Sequence, residues 1–326
     1  MAPEIHYNNI IDSDEAANAQ AKADAAAKLP ADQIDVREFY ITQPYHKYTQ
    51  ENHKVWSELF NRRWTMLERQ VSRTFIDGLR ILRLSGDRLP LLVDTVLKHD
   101  CTIADGTVLK AGSKLEGINQ YLGEVSDWAS FGVPGYLPSK SFFACLAQRQ
   151  FPTTVLMRPR EVMDYLPEPD IFHDVFGHVP LHASRVFADF LQTYGRAALL
   201  CEDERHIKRL ARLFWFTVEF GLIKEEGRVK LYGSGLVSSH GEASYALLGH
   251  WAKSGSEIRS CAERPVAEWR PFDLEEVCET DFEINHFQPI YFVLESFEQL
   301  RDAMNQYAEH VLGEAGLAEA TVSPTV

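Results

Sequence analysis

Two histidines and one glutamate are the residues of this chain whose types and spacing could bind a metal. His173 and His178 lie five residues apart, and Glu219 is the only charged residue in the apolar run 214–223. A lone carboxylate in such a run is costly to bury unless a cation pairs with it. Two imidazoles and one carboxylate are the ligand set of non-haem iron(II) oxygenases. The alternative is two hydrogen-bonded core histidines and a glutamate in a salt bridge.

The spacing of the two histidines constrains the backbone between them. On an ideal α-helix a five-residue step turns about 140° and rises about 7.5 Å, so the two rings would not share a face. We therefore expect a short or distorted helical segment. Pro167 and Pro169 permit a helix that begins near Asp170, whereas Gly177 and Pro180 predict that it ends within about two turns.

A zinc hydrolase could use the same ligand types. Such an enzyme needs a general base beside its histidines, and Asp174 directly follows His173. The chain contains no His-Glu-x-x-His sequence, which is the helical form of that site. The sequence therefore favours an oxygenase over a hydrolase, and metal analysis separates the two.

Composition limits the possible functions and partners. The chain has 326 residues, 45% of them hydrophobic, so it can bury a large core. Its formal net charge of −14 argues against a nucleic-acid partner, because neutralising phosphates requires a basic face. Five widely spaced cysteines without a Cys-x-x-Cys pair fit reduced thiols. No apolar run approaches the roughly 18 residues of a membrane span, and no signal-peptide pattern opens the chain, so we expect a cytoplasmic protein.

Hydrophobic spacing predicts a mainly α-helical fold with a few short β-strands. Residues 1–37 are rich in Ala and Asp and predict a flexible arm outside the core. Residues 38–312 predict one compact domain, and residues 313–326 a short polar tail.

Three local patterns predict individual elements within this domain. Asp105-Gly106 predicts a hairpin within residues 100–114. Residues 287–293 predict a strand, and Ser296 with Gln299 predicts the start of a helix that ends near Leu312.

Four sequence blocks together resemble the tetrahydropterin-dependent aromatic amino acid hydroxylases. The blocks are Tyr165 to His178, Phe214 to Gly221, Tyr232 to Ser239 and Phe287 to Phe292, in the order and near the spacings of that family. Four blocks are far more specific than one short motif. The resemblance runs from about Tyr48 to Leu312 and is greatest to the single-domain bacterial phenylalanine hydroxylases. It implies one catalytic domain of packed helices around a non-haem iron site.

The resemblance implies a metal and substrate site. His173, His178 and Glu219 match the iron ligands, and Asp170 matches a group that orients a liganding histidine. Arg158 matches the arginine that holds the substrate's α-carboxylate, a task that suits a bidentate guanidinium. The other matching substrate residues are Pro169, Trp215 and Phe220 around the aromatic ring, and Ser238 at the amino acid end. Outside the family, such residues are more often core aromatics, surface arginines or turn serines.

The resemblance also implies a tetrahydropterin site, for tetrahydrobiopterin or a bacterial analogue. The matching residues are Gly135 and Leu137, whose backbone would contact the pterin edge, Phe142, whose ring would stack on it, and Asp174 beside it. Three positions depart from the family: Asp174 replaces a common Glu, Phe214 a common Tyr, and Leu166 a Thr of some members. These departures bear on affinity and coupling.

The implied activity is hydroxylation of an aromatic amino acid with O2, iron(II) and a tetrahydropterin. Trp215 favours phenylalanine, giving tyrosine, because tryptophan hydroxylases carry Phe at this position. Phenylalanine 3-hydroxylation and tryptophan hydroxylation remain open, and a non-catalytic amino acid sensor is a remote alternative. Only a short segment follows Leu312, where the family has a long tetramerisation helix, so we expect a monomer without nucleic-acid or membrane partners.

Overall fold

The computed structural model describes residues 10–163, 169–252, 266–284 and 286–320, the last seven as backbone only. Most of these residues are helical, as the sequence predicted. The α-helices in these ranges are α1 (Ser13–Ala26), α2 (Gln50–Gln70), α3 (Arg73–Ile81), α4 (Ile118–Ser126), α5 (Ser139–Ala147), α6 (Val179–His182), α7 (Arg185–Leu200), α8 (Glu204–Phe214), α9 (Ser234–Ser238), α10 (His240–Leu247), α11 (Leu274–Glu279) and α12 (Phe297–Ala320). Two π-helical segments, Phe172–His178 and Trp215–Glu219, interrupt this series. Within the described ranges, none of the helices combines the length and apolar character of a membrane span.

The β-strands are short, which also agrees with the sequence. They are β1 (Thr95–Val96), β2 (Cys101–Thr102), β3 (Val108–Leu109), β4 (Lys114–Leu115), β5 (Ala129–Val133), β6 (Gln150–Thr154), β7 (Leu222–Glu225), β8 (Arg228–Leu231), β9 (His250–Trp251), β10 (Glu268–Pro271) and β11 (Ile290–Leu294). One sheet has the order β8-β7-β11-β10-β9, in which β7 and β8 pair antiparallel and the other neighbours pair parallel. Three further pairs are β1 with β4, β2 with β3, and β5 with β6. The pairing of β2 with β3 confirms the predicted hairpin, with Gly106 in the left-handed region at its turn (φ 91°).

Helix α2 illustrates how the sequence sets the core. The helix begins after a capping box in which Asn52 N–H donates to Thr49 Oγ1 and Thr49 N–H donates to Asn52 Oδ1. Its buried stripe follows helical spacing and faces the first π-helical segment, where the Trp56 ring meets the Phe172 ring edge-on at 5.4 Å. A single hydrophobic core therefore joins the N-terminal half of the domain to the segment that carries both histidines.

The β7–β8 hairpin returns the chain to Glu219. Its turn residues, Glu226 and Gly227, both have positive φ, which matches the right-handed twist of the strands. After β8, the backbone N–H groups of Tyr232 and Gly233 donate to the Gly221 carbonyl at 3.1 and 3.0 Å. The hairpin therefore places the first turn of α9 directly beside Glu219.

Helix α1 packs on the domain, whereas the sequence predicted a flexible arm outside the core. Ala23 and Ala26 are buried in a cluster that includes Phe39 and, on α5, Ala144. The Ser141 hydroxyl on α5 donates to the Ala23 carbonyl at 2.7 Å. Alanine side chains allow helices to approach closely, so this packing needs no large apolar residue and leaves little hydrophobic pattern in the sequence. Residues 1–9 lie outside the described ranges.

Helix α12 begins where the sequence predicted. Gln299 N–H donates to the Ser296 hydroxyl, and the Gln299 side chain accepts from Glu295 N–H. The helix changes direction at Gly313, whose φ of 70° is non-helical, one residue after its predicted end. Its backbone then continues to Ala320, within the predicted tail, and residues 321–326 lie outside the described ranges.

Candidate active site

The two histidines lie on the first π-helical segment, Phe172–His178. In a π-helix each N–H bonds to the carbonyl five residues back, so residues five apart stack on one face. The bond from Val179 N–H to the Asp174 carbonyl has this spacing. The distortion that the sequence required is therefore a wider helical turn, and it brings His173 Nε2 to 3.2 Å from His178 Nε2.

The predicted end of this helix at Gly177 and Pro180 is wrong. The segment continues directly into α6, in which Pro180 occupies the first turn. Proline is tolerated there because its missing N–H is not needed in a first turn. Gly177 serves a different purpose, since a Cβ atom at this position would lie 3.2 Å from the Ser234 Cβ. Its lack of a side chain permits the close approach of α9.

Asp170 fixes the start of the histidine segment. Its Oδ1 accepts from the backbone N–H of His173 at 3.0 Å, and its two carboxylate oxygens accept from Arg158 Nε and Nη2 at 2.8 and 2.9 Å. Burial opposes ionisation of Asp170, but the adjacent guanidinium outweighs it and lowers the pKa of the carboxyl group. The resemblance implied that Asp170 orients a liganding histidine, and the described contact between the two residues is this bond to the His173 backbone.

Glu219 lies on the second π-helical segment, Trp215–Glu219, and faces both histidines. Its Oε1 is 3.2 Å from His178 Nε2, and its Oε2 is 3.7 Å from His173 Nε2. One ligand atom from each of the three side chains lies within 4.8 Å of the other two. The structure thus brings together the three residues that the sequence singled out.

The donor set fits a single divalent ion. Ligand atoms about 2.1 Å from a metal and at right angles to one another lie about 3 Å apart, close to the separations found here. The three side chains form a compact acid–base cluster in which His178 is buried and His173 and Glu219 are partly exposed. The histidines counteract the burial of Glu219 and lower its pKa to about 2. Burial lowers the pKa of His173 to about 4, whereas Glu219 and Asp174 outweigh burial and raise the pKa of His178.

Helix α9 supports two of the three ligands through serine hydroxyls. Ser234 Oγ donates to Glu219 Oε2 at 2.7 Å, and Ser238 Oγ lies 3.1 Å from His173 Nδ1. Ser238 also donates to the Ser234 carbonyl at 2.7 Å, which can only accept. The Ser238 oxygen must therefore accept from His173 Nδ1–H, and this tautomer leaves the lone pair of Nε2 directed at the cluster.

This contact differs from the substrate contact that the resemblance implied for Ser238. Ser234 was not identified from the sequence at all. The signal was available, since Ser234 and Ser238 are four residues apart and therefore share one face of a helix.

The surroundings of His178 are largely apolar. The Phe151 ring lies 4.9 Å from the imidazole, and His178 Nδ1 is buried without a hydrogen-bond partner among the described residues. Asp174 is also buried, and its Oδ2 accepts from Thr154 N–H at 2.7 Å. Burial raises the pKa of Asp174 to about 7. The predicted pterin residue therefore has a fixed carboxylate on the histidine segment.

Two of the aromatic residues predicted to surround the substrate ring contact each other. The Trp215 indole packs between Phe220, at 4.6 Å, and Phe282, at 4.4 Å and nearly parallel. Phe282 was missed from the sequence because the contact joins segments 67 residues apart. Pro169 is half-buried next to Asp170. Leu166, one of the departures from the family, lies outside the described residues.

The predicted pterin residues lie in and after the β5–α5 loop. Phe142, on α5, contacts the rings of Phe151 and Phe214 at 6.3 and 5.9 Å. Phe151 also contacts His178, so one aromatic residue separates the Phe142 ring from the cluster of His173, His178 and Glu219. Leu137 packs against the cluster that includes α1, and the space around Gly135 is open, since a Cβ there would have no atom within 4 Å.

The sequence of this chain is similar to those of known proteins of one family. The sequence profile of the biopterin-dependent aromatic amino acid hydroxylases matches residues 37–317. A phenylalanine-4-hydroxylase of Chromobacterium violaceum is 35% identical over 82% of this chain and 78% of its own length. A phenylalanine-4-hydroxylase of Ralstonia nicotianae is 36% identical over 82% of this chain and 73% of its own length.

Solved structures of one of these relatives are also similar to this chain. The crystal structure of the Chromobacterium violaceum phenylalanine hydroxylase with bound oxidised Fe(III) aligns with a TM-score of 0.68 and 33% identity, covering 88% of this chain and 89% of that one. A second structure of that enzyme, with iron(III) and 7,8-dihydrobiopterin bound, has the same TM-score and covers 86% of this chain. This chain belongs to the biopterin-dependent aromatic amino acid hydroxylases.

Proposed function

We propose that this protein is a phenylalanine 4-hydroxylase that converts L-phenylalanine to L-tyrosine with O2, iron(II) and a tetrahydropterin. The observation that carries the proposal is the convergence of His173, His178 and Glu219 in a chain whose bacterial relatives are named phenylalanine-4-hydroxylases. Three protein ligands leave coordination positions open for reactants, as oxygenase chemistry requires.

In this proposal His173, His178 and Glu219 hold the iron. Bound iron(II) and tetrahydropterin supply the electrons that O2 needs to transfer one oxygen atom to an aromatic ring. The protein contributes the arrangement of its ligands. Ser238 keeps His173 Nδ1 protonated and Nε2 available, and Ser234 restricts rotation of the Glu219 carboxylate.

Arg158 and the Trp215 wall would hold the amino acid. The paired carboxylate of Asp170 fixes the plane of the Arg158 guanidinium, which suits it to receive the substrate's α-carboxylate. Pro169, Trp215 and Phe220 would then enclose the benzene ring. Fixing both ends of the substrate matters because a misplacement of about 1 Å can cost about a hundredfold in rate.

The pterin would lie between the β5–α5 loop and the metal cluster. In this arrangement Phe142 stacks on the pterin ring, Gly135 and Leu137 contact its edge through their backbone, and Asp174 lies beside it. The open space at Gly135 and the short path from Phe142 through Phe151 to His178 support this assignment. Asp174, whose Oδ2 accepts from Thr154 N–H, would reach less far than the family's common Glu, so a contact with the pterin through water would suit it.

Substrate choice is proposed to depend on Trp215. The indole contacts the rings of both Phe220 and Phe282, which restricts its movement away from the pocket to admit a larger ring. A benzene ring therefore fits better than a second indole. Phenylalanine 3-hydroxylation and tryptophan hydroxylation would use the same metal ligands and are the other outcomes of the test.

The decisive experiment offers L-Phe, L-Tyr and L-Trp in competition to the purified iron(II) protein with tetrahydropterin and O2. Products are identified by mass spectrometry and NMR. We expect 4-hydroxylation of L-Phe as the dominant reaction. Absence of any hydroxylated product would refute the proposed activity, and meta-hydroxyphenylalanine or 5-hydroxytryptophan as the main product would assign the alternatives. Activity with zinc and without O2 would indicate a hydrolase.

We further propose that the protein acts in the cytoplasm as a monomer. Four of its five cysteines, Cys101, Cys145, Cys201 and Cys278, are free and buried, which supports a reducing compartment. Light scattering coupled to size-exclusion chromatography tests the oligomeric state.

A further inference from the structure

We propose that Arg63 is a positioning residue for the metal centre, acting through helix α9. This inference rests on the proposed function, because it concerns the same ligands. Arg63 lies on α2 and touches none of them. It holds the C-terminal end of the short helix whose two serines contact His173 and Glu219.

The contacts of Arg63 are specific. Its side chain is buried, and its Nε donates to the Val237 carbonyl at 2.7 Å. Its Nη2 lies 3.5 Å from the Leu236 carbonyl, and its Nη1 lies 3.8 Å from Met66 Sδ. No carboxylate contacts this guanidinium among the described residues. Its polar interactions are therefore directed at the last turn of α9.

The buried guanidinium of Arg63 lowers the stability of the fold unless its contacts compensate for its desolvation. Moving a charge out of water without a carboxylate partner is unfavourable, and burial lowers the Arg63 pKa to about 10. The group remains protonated at neutral pH. Carbonyls in the last turn of a helix carry partial negative charge and suit a guanidinium. Here the Leu236 carbonyl also accepts from Ser239 N–H at 3.3 Å, so the shorter contact of Arg63, with the Val237 carbonyl, is its main one. An apolar side chain would fill the same space without the desolvation penalty.

The position of α9 depends on its two ends, because a five-residue helix has few hydrogen bonds of its own. At its start, Gly233 packs so closely that a Cβ there would lie 2.4 Å from the Glu219 carbonyl oxygen. At its end, Arg63 binds Leu236 and Val237. A shift of the helix would therefore move Ser234 away from Glu219 and Ser238 away from His173 together.

The test measures metal affinity rather than turnover. Arg63→Met removes the donors and keeps a long side chain, Arg63→Lys restores the charge with one donor group, and Val55→Ala is the matched control. Val55 is a buried residue of the same helix that makes no hydrogen bond to α9. Co(II) is titrated into each metal-free protein, with the d–d absorption bands as the signal, and the affinity for Fe(II) is measured by competition.

We expect Arg63→Met to bind Co(II) about tenfold more weakly than the wild type, at the lower end of the range for groups that orient metal ligands. Arg63→Lys should recover part of that loss and restore the wild-type Co(II) spectrum more fully than Arg63→Met. Val55→Ala should lower the melting temperature without changing the affinity. A purely structural role predicts the opposite pattern, with lower melting temperatures and unchanged affinity in both Arg63 variants.

Equal affinity of Arg63→Met and the wild type would overturn the inference, as would an equal loss in Val55→Ala. If Arg63→Met does not fold, Arg63→Gln and Arg63→Lys take its place, and unchanged affinity in both overturns the inference. Failure of the proposed function would be recognised from the wild-type protein, by its metal binding and its product formation. A wild-type protein that binds metal but makes no product refutes only the proposed activity, whereas one that binds no metal refutes both.

Discussion

Replacing Ser238 by alanine perturbs the proposed metal centre directly and leaves its three proposed ligands intact. The Ser238 hydroxyl accepts from His173 Nδ1–H and donates to the Ser234 carbonyl. Ser238→Ala removes the acceptor that selects the His173 tautomer with a free Nε2 lone pair. We expect weaker metal binding with little change in the fold.

The structure sets the size of this effect. A buried donor that loses its acceptor costs about 1–3 kcal/mol, which corresponds to about a 5- to 150-fold change in affinity. The His173 side chain is 21% exposed, so a water molecule can replace part of the lost hydrogen bond. We therefore expect the lower part of this range, about a tenfold weaker affinity for Fe(II) or Co(II).

The assay is a metal titration of the metal-free protein, together with 15N NMR of the histidine rings to identify the tautomer. Ser239→Ala is the matched control, because Ser239 is the next residue and its hydroxyl accepts from Glu242 N–H at the start of α10. Loss of that cap should lower stability by about 1 kcal/mol without changing metal affinity. A Ser238→Ala protein that binds metal within twofold of the wild type, or an equal loss in Ser239→Ala, would refute the reasoning.

Further predictions concern the metal, the pocket, pH and the N-terminal helix. His178→Ala should reduce bound iron from about one equivalent to a small fraction, measured by elemental analysis, and dialysis against a chelator should abolish hydroxylation until iron(II) is restored. Trp215→Phe should shift the ratio of kcat/KM for Trp over Phe upward by about tenfold, because it enlarges the ring pocket. Burial raises the pKa of Glu242 to about 7 from an ordinary 4.5, so stability present below pH 4.5 is progressively lost up to pH 7. Denaturant unfolding should show that Glu242→Gln, which can keep an acceptor for Gln288 N–H and Tyr291 Oη–H, removes the Glu242 part of this decline and leaves the part due to Asp174, whose pKa is also raised to about 7. Ala23→Arg should lower the melting temperature by several degrees, because the side chain is fully buried between α1 and α5; an unchanged value would show that this contact adds no stability.

Local chemistry made part of the fold predictable from the sequence. Asp105-Gly106 predicted the β2–β3 hairpin, and Ser296 with Gln299 predicted the start of α12. Both predictions were possible because turns and helix caps depend on neighbouring residues. Helix α1 was misjudged because alanine contributes little to a hydrophobic pattern even where it is buried. The partners of the five-stranded sheet were not predictable, since parallel pairing joins β10 to β9 and β11 to β7 across long stretches of chain.

The candidate site was predictable in composition but only partly in geometry. The five-residue spacing of the histidines excluded an ideal α-helix, yet it could not distinguish a π-helix from other distortions. The π-helical segment packs closely against α9 at Gly177, and local sequence does not reveal such tertiary contacts. For the same reason the sequence could not predict the contact between Ser238 and His173, since it joins residues 65 positions apart.

The π-helical segment makes the metal site sensitive to the number of residues between its histidines. Substitutions at Val175 or Phe176 would change packing but keep the two histidines five residues apart, with their rings edge-on at 4.9 Å on one face of the segment. Insertion or deletion of a single residue there would rotate one imidazole away from its partner while leaving every ligand present in the sequence. We therefore expect the length of this segment to be invariant among functional homologues, and a length change to be a more reliable sign of lost iron chemistry than most amino-acid replacements within it.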